Sequence, residues 1–216
     1  MIFSRRLRGL VPVLLCLAAT ALPAAAADPI RILALGDSLT AGYGLPPGDA
    51  FPVRLEEALK ARGHHVRVIN AGVSGDTADQ GFARLDWALA EGADAAIVEF
   101  GANDALRGID PKVTRQAIDG IVGTLTGRGI PVLLAGMLAP RNMGPAYQAA
   151  YDPIFPEVAA RYGVIFDPFF LEGVVLDPAL NQRDGIHPNR AGVDRIVARI
   201  LPKVEELIGR VRAKRS

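Results

Sequence analysis

Short apolar runs alternate with amphipathic segments along most of the chain. Runs of β-branched and aliphatic residues predict strands at residues 30–35, 65–69, 95–100, 132–137 and 164–166. Apolar residues at helical spacing predict helices at residues 51–62, 77–90, 113–125, 147–162 and 189–208, the last entered through Pro188. Strands that alternate with helices are typical of a parallel sheet covered on both faces. We therefore predict a single α/β domain of three layers, α/β/α, around a five-stranded parallel sheet.

The amino-terminal segment departs from this pattern. Three arginines among the first eight residues precede an apolar run over residues 10–22, and an alanine-rich stretch follows the run. A basic start, a short apolar run and small residues before a cleavage point are typical of a secretory signal peptide. The run is shorter than the ~20 residues that a membrane-spanning helix needs. We predict a signal peptide over residues 1–27, cleavage after Ala27, and an exported domain over residues 28–216 that is periplasmic or secreted.

Composition excludes several classes of protein. The chain has 216 residues, of which 50% are hydrophobic and 22% are charged, and its formal net charge is +1. It is too apolar for a disordered chain and has no basic excess that would indicate a nucleic-acid partner. The single cysteine, Cys16, lies inside the predicted signal peptide, so the exported domain is expected to hold neither a disulfide framework nor a thiolate metal cluster. No later apolar run is long enough to span a membrane.

Polar residues follow the predicted strands, at the edge where doubly wound sheets bind their ligands. Ser38 follows the first strand and Asn103 follows the third. If the second and third strands flank the first, Ser38 lies centrally, between Asn103 and the glycine-containing loop after the second strand. His187 lies in the long segment before the last helix, and Asp184 is close enough in sequence to hydrogen bond its imidazole. A serine hydrolase needs such a serine, a base and a carboxylate that orients the base.

Each of these residues also has a purely structural interpretation. Ser38 or Asp37 could cap a helix after the first strand, and Asp104 could be a helix cap or a turn residue. Gly72 could be a turn glycine, and Asp184 with His187 could form an ordinary loop. Taken together, however, the motifs favour chemistry over coincidence.

Four motifs resemble, in order, the four sequence blocks of the GDSL, or SGNH, hydrolases. They are Gly36-Asp37-Ser38-Leu39, Gly72, Gly101-Ala102-Asn103-Asp104 and Asp184-Gly185-Ile186-His187. The resemblance covers nearly the whole predicted domain and implies a flavodoxin-like fold. The surrounding segments, including Ser74-Gly75-Asp76-Thr77, are similar to the exported branch of acyl-CoA thioesterases, arylesterases and lysophospholipases.

The resemblance also implies a role for each matching residue. Ser38 is the expected nucleophile, His187 the general base and then the acid, and Asp184 the residue that orients His187. The expected oxyanion hole consists of the backbone N–H groups of Ser38 and Gly72 and the side-chain amide of Asn103. An amide can donate a hydrogen bond to an oxyanion where a carboxylate cannot. The resemblance implies that no cofactor and no metal ion take part.

The predicted reaction is hydrolysis of carboxylic esters and acyl thioesters, and the acyl chain requires an apolar cleft. Apolar residues near the motifs supply the candidates for its lining, which are Leu106, Ile109, Leu138, Met143 and Phe170. The expected partners are small acyl ester or thioester substrates. We expect no nucleic-acid partner, no integral membrane segment after signal removal, and a monomer.

Two alternatives remain at this stage. The same motifs serve carbohydrate O-acetyl esterases, although the single tryptophan, Trp87, lies in a predicted helix rather than in a site loop where it could stack on a sugar. A non-catalytic exported α/β binding protein is the alternative from another class.

Overall fold

The computed structural model describes residues 28–215, and its centre is a parallel five-stranded sheet. The strands are β1 (Ile30–Gly36), β2 (Val66–Gly72), β3 (Ala95–Glu99), β4 (Val132–Ala135) and β5 (Ile165–Asp167). Their order across the sheet is β2-β1-β3-β4-β5, so β1 lies between β2 and β3. The predicted α/β class, the five parallel strands and the central place of β1 are confirmed.

Nine α-helices connect or flank the strands in the described part of the chain. They are α1 (Ser38–Ala41), α2 (Phe51–Ala61), α3 (Ala78–Ala83), α4 (Leu85–Ala88), α5 (Ala102–Leu106), α6 (Pro111–Gly127), α7 (Pro145–Tyr151), α8 (Ile154–Tyr162) and α9 (Arg190–Arg215). Two short 3-10 helices lie at Pro47–Asp49 and Arg141–Met143.

The helices form two groups on the sheet. Helix α9 packs against α2 and lies across β3, β4 and β5, whereas α6 packs against α3 and α8 and contacts β4. The strands β3 and β4 are buried over their whole length, because both faces of the sheet are covered. Apolar runs without alternation are therefore the signal of these two strands, whereas buried and exposed residues alternate along part of β2.

Two predicted helices are interrupted in the structure. The predicted helix over residues 77–90 divides at Arg84, whose guanidinium donates to Asp76 Oδ2, to the Ala71 carbonyl and to the Gly36 carbonyl at 2.6–2.9 Å. The predicted helix over residues 147–162 divides before Pro153, which has no N–H to donate within a helix. The short helices α1 and α5 were not predicted, because helices of four and five residues are too short to show a periodic pattern.

The last helix is longer than predicted. It begins at Arg190, directly after the Pro188-Asn189 pair, and continues to Arg215 rather than ending at Ile208. Val211 is buried one turn beyond the predicted end, so the apolar face that packs on the sheet extends further. Pro202 is accommodated inside this helix.

The predicted signal peptide, residues 1–27, lies outside the described residues. Among residues 28–215, no helix combines the length and the apolar character that crossing a membrane requires.

A buried ion pair ties α9 to the end of the sheet. Asp167, the last residue of β5, is fully buried and accepts from both terminal nitrogens of Arg199 at 2.5 and 2.8 Å. Lys203 Nζ donates to the same carboxylate at 2.8 Å. Two cations from one helix therefore neutralise one carboxylate at the strand end.

We predict that Asp167→Ala lowers the free energy of unfolding by about 3 kcal/mol, because it leaves two partly buried cations without their partner. Urea denaturation measures the loss. The matched control is Glu157→Ala, which removes an exposed partner of Arg115 and should cost less than about 1 kcal/mol. Equal losses in the two variants would contradict this account of α9.

Candidate active site

Ser38 lies at the carboxyl edge of the sheet, on the central strand. Strand β1 ends at Gly36, and α1 begins at Ser38 with Asp37 as its N-cap. The Asp37 carboxylate accepts from the backbone N–H of Leu39 at 3.0 Å, so Asp37 has the capping geometry that its position suggested. The N–H of Ser38 is in the first turn of α1 and has no acceptor within the helix.

Two glycines let α1 lie directly on the strand ends. A Cβ at Gly36 would come within 2.6 Å of the Glu99 carbonyl oxygen, on the neighbouring strand β3. A Cβ at Gly72 would come within 2.7 Å of Ala41 Cα and 2.9 Å of the Asp37 carbonyl oxygen. Both positions require glycine because backbone atoms, of β3 at Gly36 and of α1 and its N-cap at Gly72, lie too close for a side chain.

Gly72 does not have the free N–H that the predicted oxyanion hole requires. Its backbone N–H donates to the Asn70 side-chain oxygen at 3.0 Å. We correct the expectation accordingly: in this structure Gly72 is a packing glycine beneath α1, and its donor is already occupied.

His187 connects Ser38 to Asp184. The Ser38 Oγ lies 2.9 Å from His187 Nε2, and His187 Nδ1 lies 2.7 Å from Asp184 Oδ2. Because a carboxylate accepts, Nδ1 carries the proton and, in the neutral imidazole, Nε2 accepts from the serine hydroxyl. The structure thus brings the serine, histidine and aspartate together in the order that nucleophilic catalysis uses.

Asp184 is held in a tight turn that favours its ionised form. Its Oδ1 accepts from the backbone N–H groups of Ile186 and His187 at 2.9 and 3.0 Å. The N–H of His187, then that of Ile186, lowers the pKa of Asp184 to about 2. The Tyr43 ring packs against the imidazole of His187 at a tilt of 41°, with the ring centroids 4.7 Å apart.

The segment that carries His187 is fixed by its own hydrogen bonds. The Gln182 backbone N–H donates to the His187 carbonyl at 2.7 Å, and the Gln182 side chain donates to the Tyr43 carbonyl at 2.7 Å. The buried Asn181 side chain donates to the carbonyls of Val174 and Asp177 at 2.6 and 2.8 Å. These contacts position the loop before α9 without a helix or strand.

Asn103 lies on α5, beside the nucleophile. Its side-chain nitrogen donates to Asp37 Oδ2 at 3.0 Å and to the Asp76 carbonyl at 3.1 Å. Asp104 points away from the site, because its carboxylate accepts from the Ala78 N–H and the Thr114 hydroxyl at 3.0 and 2.9 Å. The structural interpretation of Asp104 therefore matches its contacts.

The loop after β2 presents a second glycine, Gly75, next to Asn103. Gly75 has φ +89°, its carbonyl accepts from Arg107 at 2.7 Å, and Asp76 is bound by Asn103 and Arg84. Among the described residues, no acceptor for the Gly75 N–H is found. Sequence reasoning missed this residue, although the Ser74-Gly75-Asp76 tripeptide is a signal for a turn with positive φ.

Two buried carboxyl groups lie beneath α1. Burial raises the pKa of Asp37 to about 6, although the Leu39 N–H and the Asn103 amide oppose the shift. Burial and the nearby Asp37 raise the pKa of Glu99 well above its ordinary value. The Thr40 hydroxyl donates to Glu99 Oε2 at 2.8 Å, whereas Oε1 has no partner among the described residues. Burial therefore favours the neutral form of Glu99 over the ionised form.

An apolar cavity of about 450 Å³ adjoins the Asp184–His187 turn. Its lining includes Leu106 and Leu138 of the predicted set, together with Met137, Phe169, Leu171, Val175, Leu176 and Ile186. Gly185, between Asp184 and His187, also lines it, so the cavity adjoins the turn that carries His187.

Three predicted lining residues are not part of the cavity wall. Phe170 is fully buried and packs edge-on against Phe51, with centroids 5.1 Å apart, whereas its neighbour Phe169 lines the cavity. Adjacent side chains in this segment point to opposite sides, so one phenyl ring enters the core. Ile109 and Met143 lie outside the wall as well: the Ile109 carbonyl binds the Tyr147 hydroxyl, and the Met143 methyl lies beside Gly108.

The free energy of unfolding should depend on pH through the ionisation of Glu99. A raised pKa in the folded state means that stability is fully present below the unfolded value of 4.5 and is lost as pH rises towards the folded value. We predict that the wild type loses more unfolding free energy between pH 5 and pH 8 than Glu99→Gln does, as measured by urea denaturation. Glu157→Gln, at an exposed site, should keep the wild-type dependence on pH. An unchanged slope in Glu99→Gln would contradict a raised pKa of Glu99.

Comparisons with a family model and with known proteins indicate the same family for this chain. A model of the GDSL-like lipase/acylhydrolase family matches residues 34–195. The chain is 38% identical over 178 residues to the esterase TesA of Pseudomonas aeruginosa, covering 82% of this chain and 89% of that protein. It is 40% identical over 168 residues to thioesterase 1/protease 1/lysophospholipase L1 of Escherichia coli, covering 77% of this chain and 78% of that protein.

A solved structure extends the likeness to the fold. AlinE4, an esterase of the SGNH-hydrolase family, is 44% identical, covers 84% of this chain and 98% of its own, and superposes with a TM-score of 0.72. The flavodoxin-like SGNH fold and the resemblance read from the motifs are confirmed. The chain therefore belongs to the GDSL-like lipase/acylhydrolase family, the SGNH hydrolases.

Proposed function

We propose that this protein hydrolyses carboxylic esters and acyl thioesters through an acyl-enzyme on Ser38. The observation that carries the proposal is the hydrogen-bonded series Ser38 Oγ, His187 and Asp184, with distances of 2.9 and 2.7 Å, beside an apolar cavity. Family membership and the names of the relatives, an esterase and a thioesterase/lysophospholipase, support the same chemistry.

In the first half of the reaction, His187 Nε2 takes the proton of the Ser38 hydroxyl as its oxygen attacks the acyl carbonyl. Asp184 stabilises the resulting imidazolium through Nδ1–H. His187 then gives the proton to the departing alkoxide or thiolate, which leaves an acyl ester on Ser38. In the second half, His187 activates a water molecule, which releases the carboxylic acid and restores the serine.

The developing oxyanion requires donors that are already aimed at it. The N–H of Ser38 and the amide of Asn103 are the candidates that the motifs identified. In place of Gly72, we propose the N–H of Gly75, because the Gly72 donor is bound to Asn70 and the Gly75 donor is not bound by a described residue. The bonds from Asn103 to Asp76 and from Arg107 to Gly75 support this position for the loop.

The acyl group of the substrate would occupy the apolar cavity. Leu106, Leu138 and Phe169 offer apolar surface, and no charged side chain other than Arg141 is part of the described wall. Such a lining favours a fatty acyl chain over the acetyl group of a carbohydrate ester, which is small and accompanied by polar hydroxyls. The alternative of a carbohydrate O-acetyl esterase has no comparable supporting observation.

A panel of p-nitrophenyl esters from acetate to palmitate, with an acyl-CoA and a lysophospholipid, tests the function. We expect hydrolysis of esters with a longer acyl chain than acetate, and unchanged rates in EDTA and reducing agent, since the proposed steps use side chains alone. Activity on acetate only would favour the carbohydrate esterase. If no substrate is hydrolysed, the alternative of a non-catalytic binding protein is favoured.

We predict that Ser38→Ala abolishes ester hydrolysis without loss of the fold, because it removes the attacking oxygen while Asp37 still caps α1. Kinetics and thermal unfolding measure the two effects. Ser74→Ala is the matched control, since Ser74 is exposed and should retain most activity. A p-nitrophenyl organophosphonate should label Ser38 in mass spectrometry, and a label on Ser74 would overturn the assignment.

We also propose that the protein is exported and that residues 1–27 are a cleaved signal peptide. The basic start, the short apolar run and the alanines before Asp28 support it. Expression of the full chain in a bacterium should yield a periplasmic or secreted protein whose amino-terminal sequencing begins at or near Asp28. A cytoplasmic product that retains the first 27 residues would contradict this prediction.

A further inference from the structure

The amide nitrogen of Asn103 has two acceptors, and they differ in kind. One is the carboxylate of Asp37 at 3.0 Å and the other is the backbone carbonyl of Asp76 at 3.1 Å. A side-chain amide has two hydrogens, so both are engaged. An oxyanion can be bound by this amide only if one of these two hydrogen bonds is given up or shared.

The Asp37 carboxylate is the more firmly fixed acceptor. Its side chain is fully buried, and its other oxygen accepts from the Leu39 N–H at 3.0 Å. Hydrogen bonds to a carboxylate are shorter and about twice as strong as those between neutral groups. The Asp76 carbonyl is neutral and belongs to the loop after β2, where Val73 and Ser74 are exposed.

Of the three acids near Asn103, which are Asp37, Glu99 and Asp104, Asp37 is the one whose surroundings best suit a negative charge next to the amide. Glu99 on β3 is buried, and one of its two oxygens has no hydrogen-bond partner among the described residues, which disfavours its ionised form. Asp104 on α5 faces Ala78 and Thr114 rather than Asn103. Asp37, with two N–H donors, is best matched to a carboxylate.

We infer that Asp37 is a positioning residue that acts through Asn103. Its carboxylate accepts one amide N–H of Asn103 throughout the reaction, while the other N–H exchanges its hydrogen bond to the Asp76 carbonyl for one to the oxyanion. This inference rests on the proposed function. In this arrangement the Asp37 bond fixes the orientation of the amide, so that the nitrogen and not the oxygen faces the reacting carbonyl. The bond to Asp76 keeps the second hydrogen in place until the substrate arrives.

Asp37→Asn separates this role from helix capping. Asparagine is as good an N-cap as aspartate, so the bond to the Leu39 N–H can be retained. The group that faces Asn103 then becomes an NH₂ donor, which cannot accept from the Asn103 amide. Asp110→Asn is the matched control, because Asp110 caps α6 through the Lys112 N–H at 2.9 Å and has no contact with Asn103.

A double-mutant cycle with Asn103→Ala measures whether Asp37 acts through Asn103. We expect Asn103→Ala to lower kcat on the order of 100-fold, as loss of one oxyanion donor does. Asp37→Asn should lower kcat about tenfold or more with KM nearly unchanged, and adding it to Asn103→Ala should cost little more. Asp110→Asn should match the wild type. Additive losses, or Asp37→Asn with wild-type kcat, would overturn the inference.

Amide NMR of the wild type tests the exchange itself. After labelling with the organophosphonate, whose phosphoryl oxygen mimics the oxyanion, one Asn103 side-chain proton should shift and the other should keep its resonance. The proton that stays should be the one that Asp37→Asn perturbs, or Asp37→Ser if the first variant does not fold. Movement of that proton on labelling would overturn the inference. If the wild type does not hydrolyse esters before labelling, the proposed function is contradicted instead.

Discussion

The hydrogen bond between Ser38 and His187 spans 149 residues of sequence, and the candidate site exists only where that bond can form. Ser38 is placed by the end of β1, a central strand of the sheet, whereas His187 is placed by a segment without regular structure. Bringing such distant groups together costs loop-closure entropy, which must be offset by contacts elsewhere. Hydrogen bonds within the segment supply some of those contacts. The ion pair of Asp167 with Arg199 supplies another, because it joins β5, which precedes the segment, to α9, which follows it.

The site contains carboxylates in opposite environments. Asp184 is partly exposed and is surrounded by backbone donors, so its pKa falls to about 2. Asp37 is buried, so its pKa rises to about 6. The first environment keeps a permanent charge against the imidazole. The buried environment places the Asp37 carboxylate beneath the amide of Asn103, where water cannot compete for the hydrogen bond between them.

Under the proposed function, side chains outside the motifs would set the substrate preference. The cavity wall combines residues of the α5 region, the loop after β4 and the segment before His187. Leu176 is exposed in this wall and has φ +64°, an uncommon conformation for a leucine. Under the proposed function, the motifs supply the reacting groups and the loops around them select the acyl group.

The sequence by itself determined the class of fold, the five strands and the membership of Ser38, Asn103, Asp184 and His187 in one set of motifs. These features depend on local apolar periodicity and on short patterns of polar residues, which are read along the chain. The helices α2 and α6 were predicted within two residues, whereas two predicted helices divide at Arg84 and before Pro153, and the last helix continues seven residues beyond its predicted end.

Only the tertiary structure decided which glycine offers a free donor and which phenylalanine faces the cavity. Gly72 and Gly75 are equally plausible in the sequence, but Asn70 occupies the donor of the first and no described residue occupies that of the second. Phe169 and Phe170 are adjacent and chemically identical, but Phe51 packs on the second. Residue type does not reveal which neighbour occupies a backbone N–H or covers a ring, because those neighbours come from distant parts of the chain.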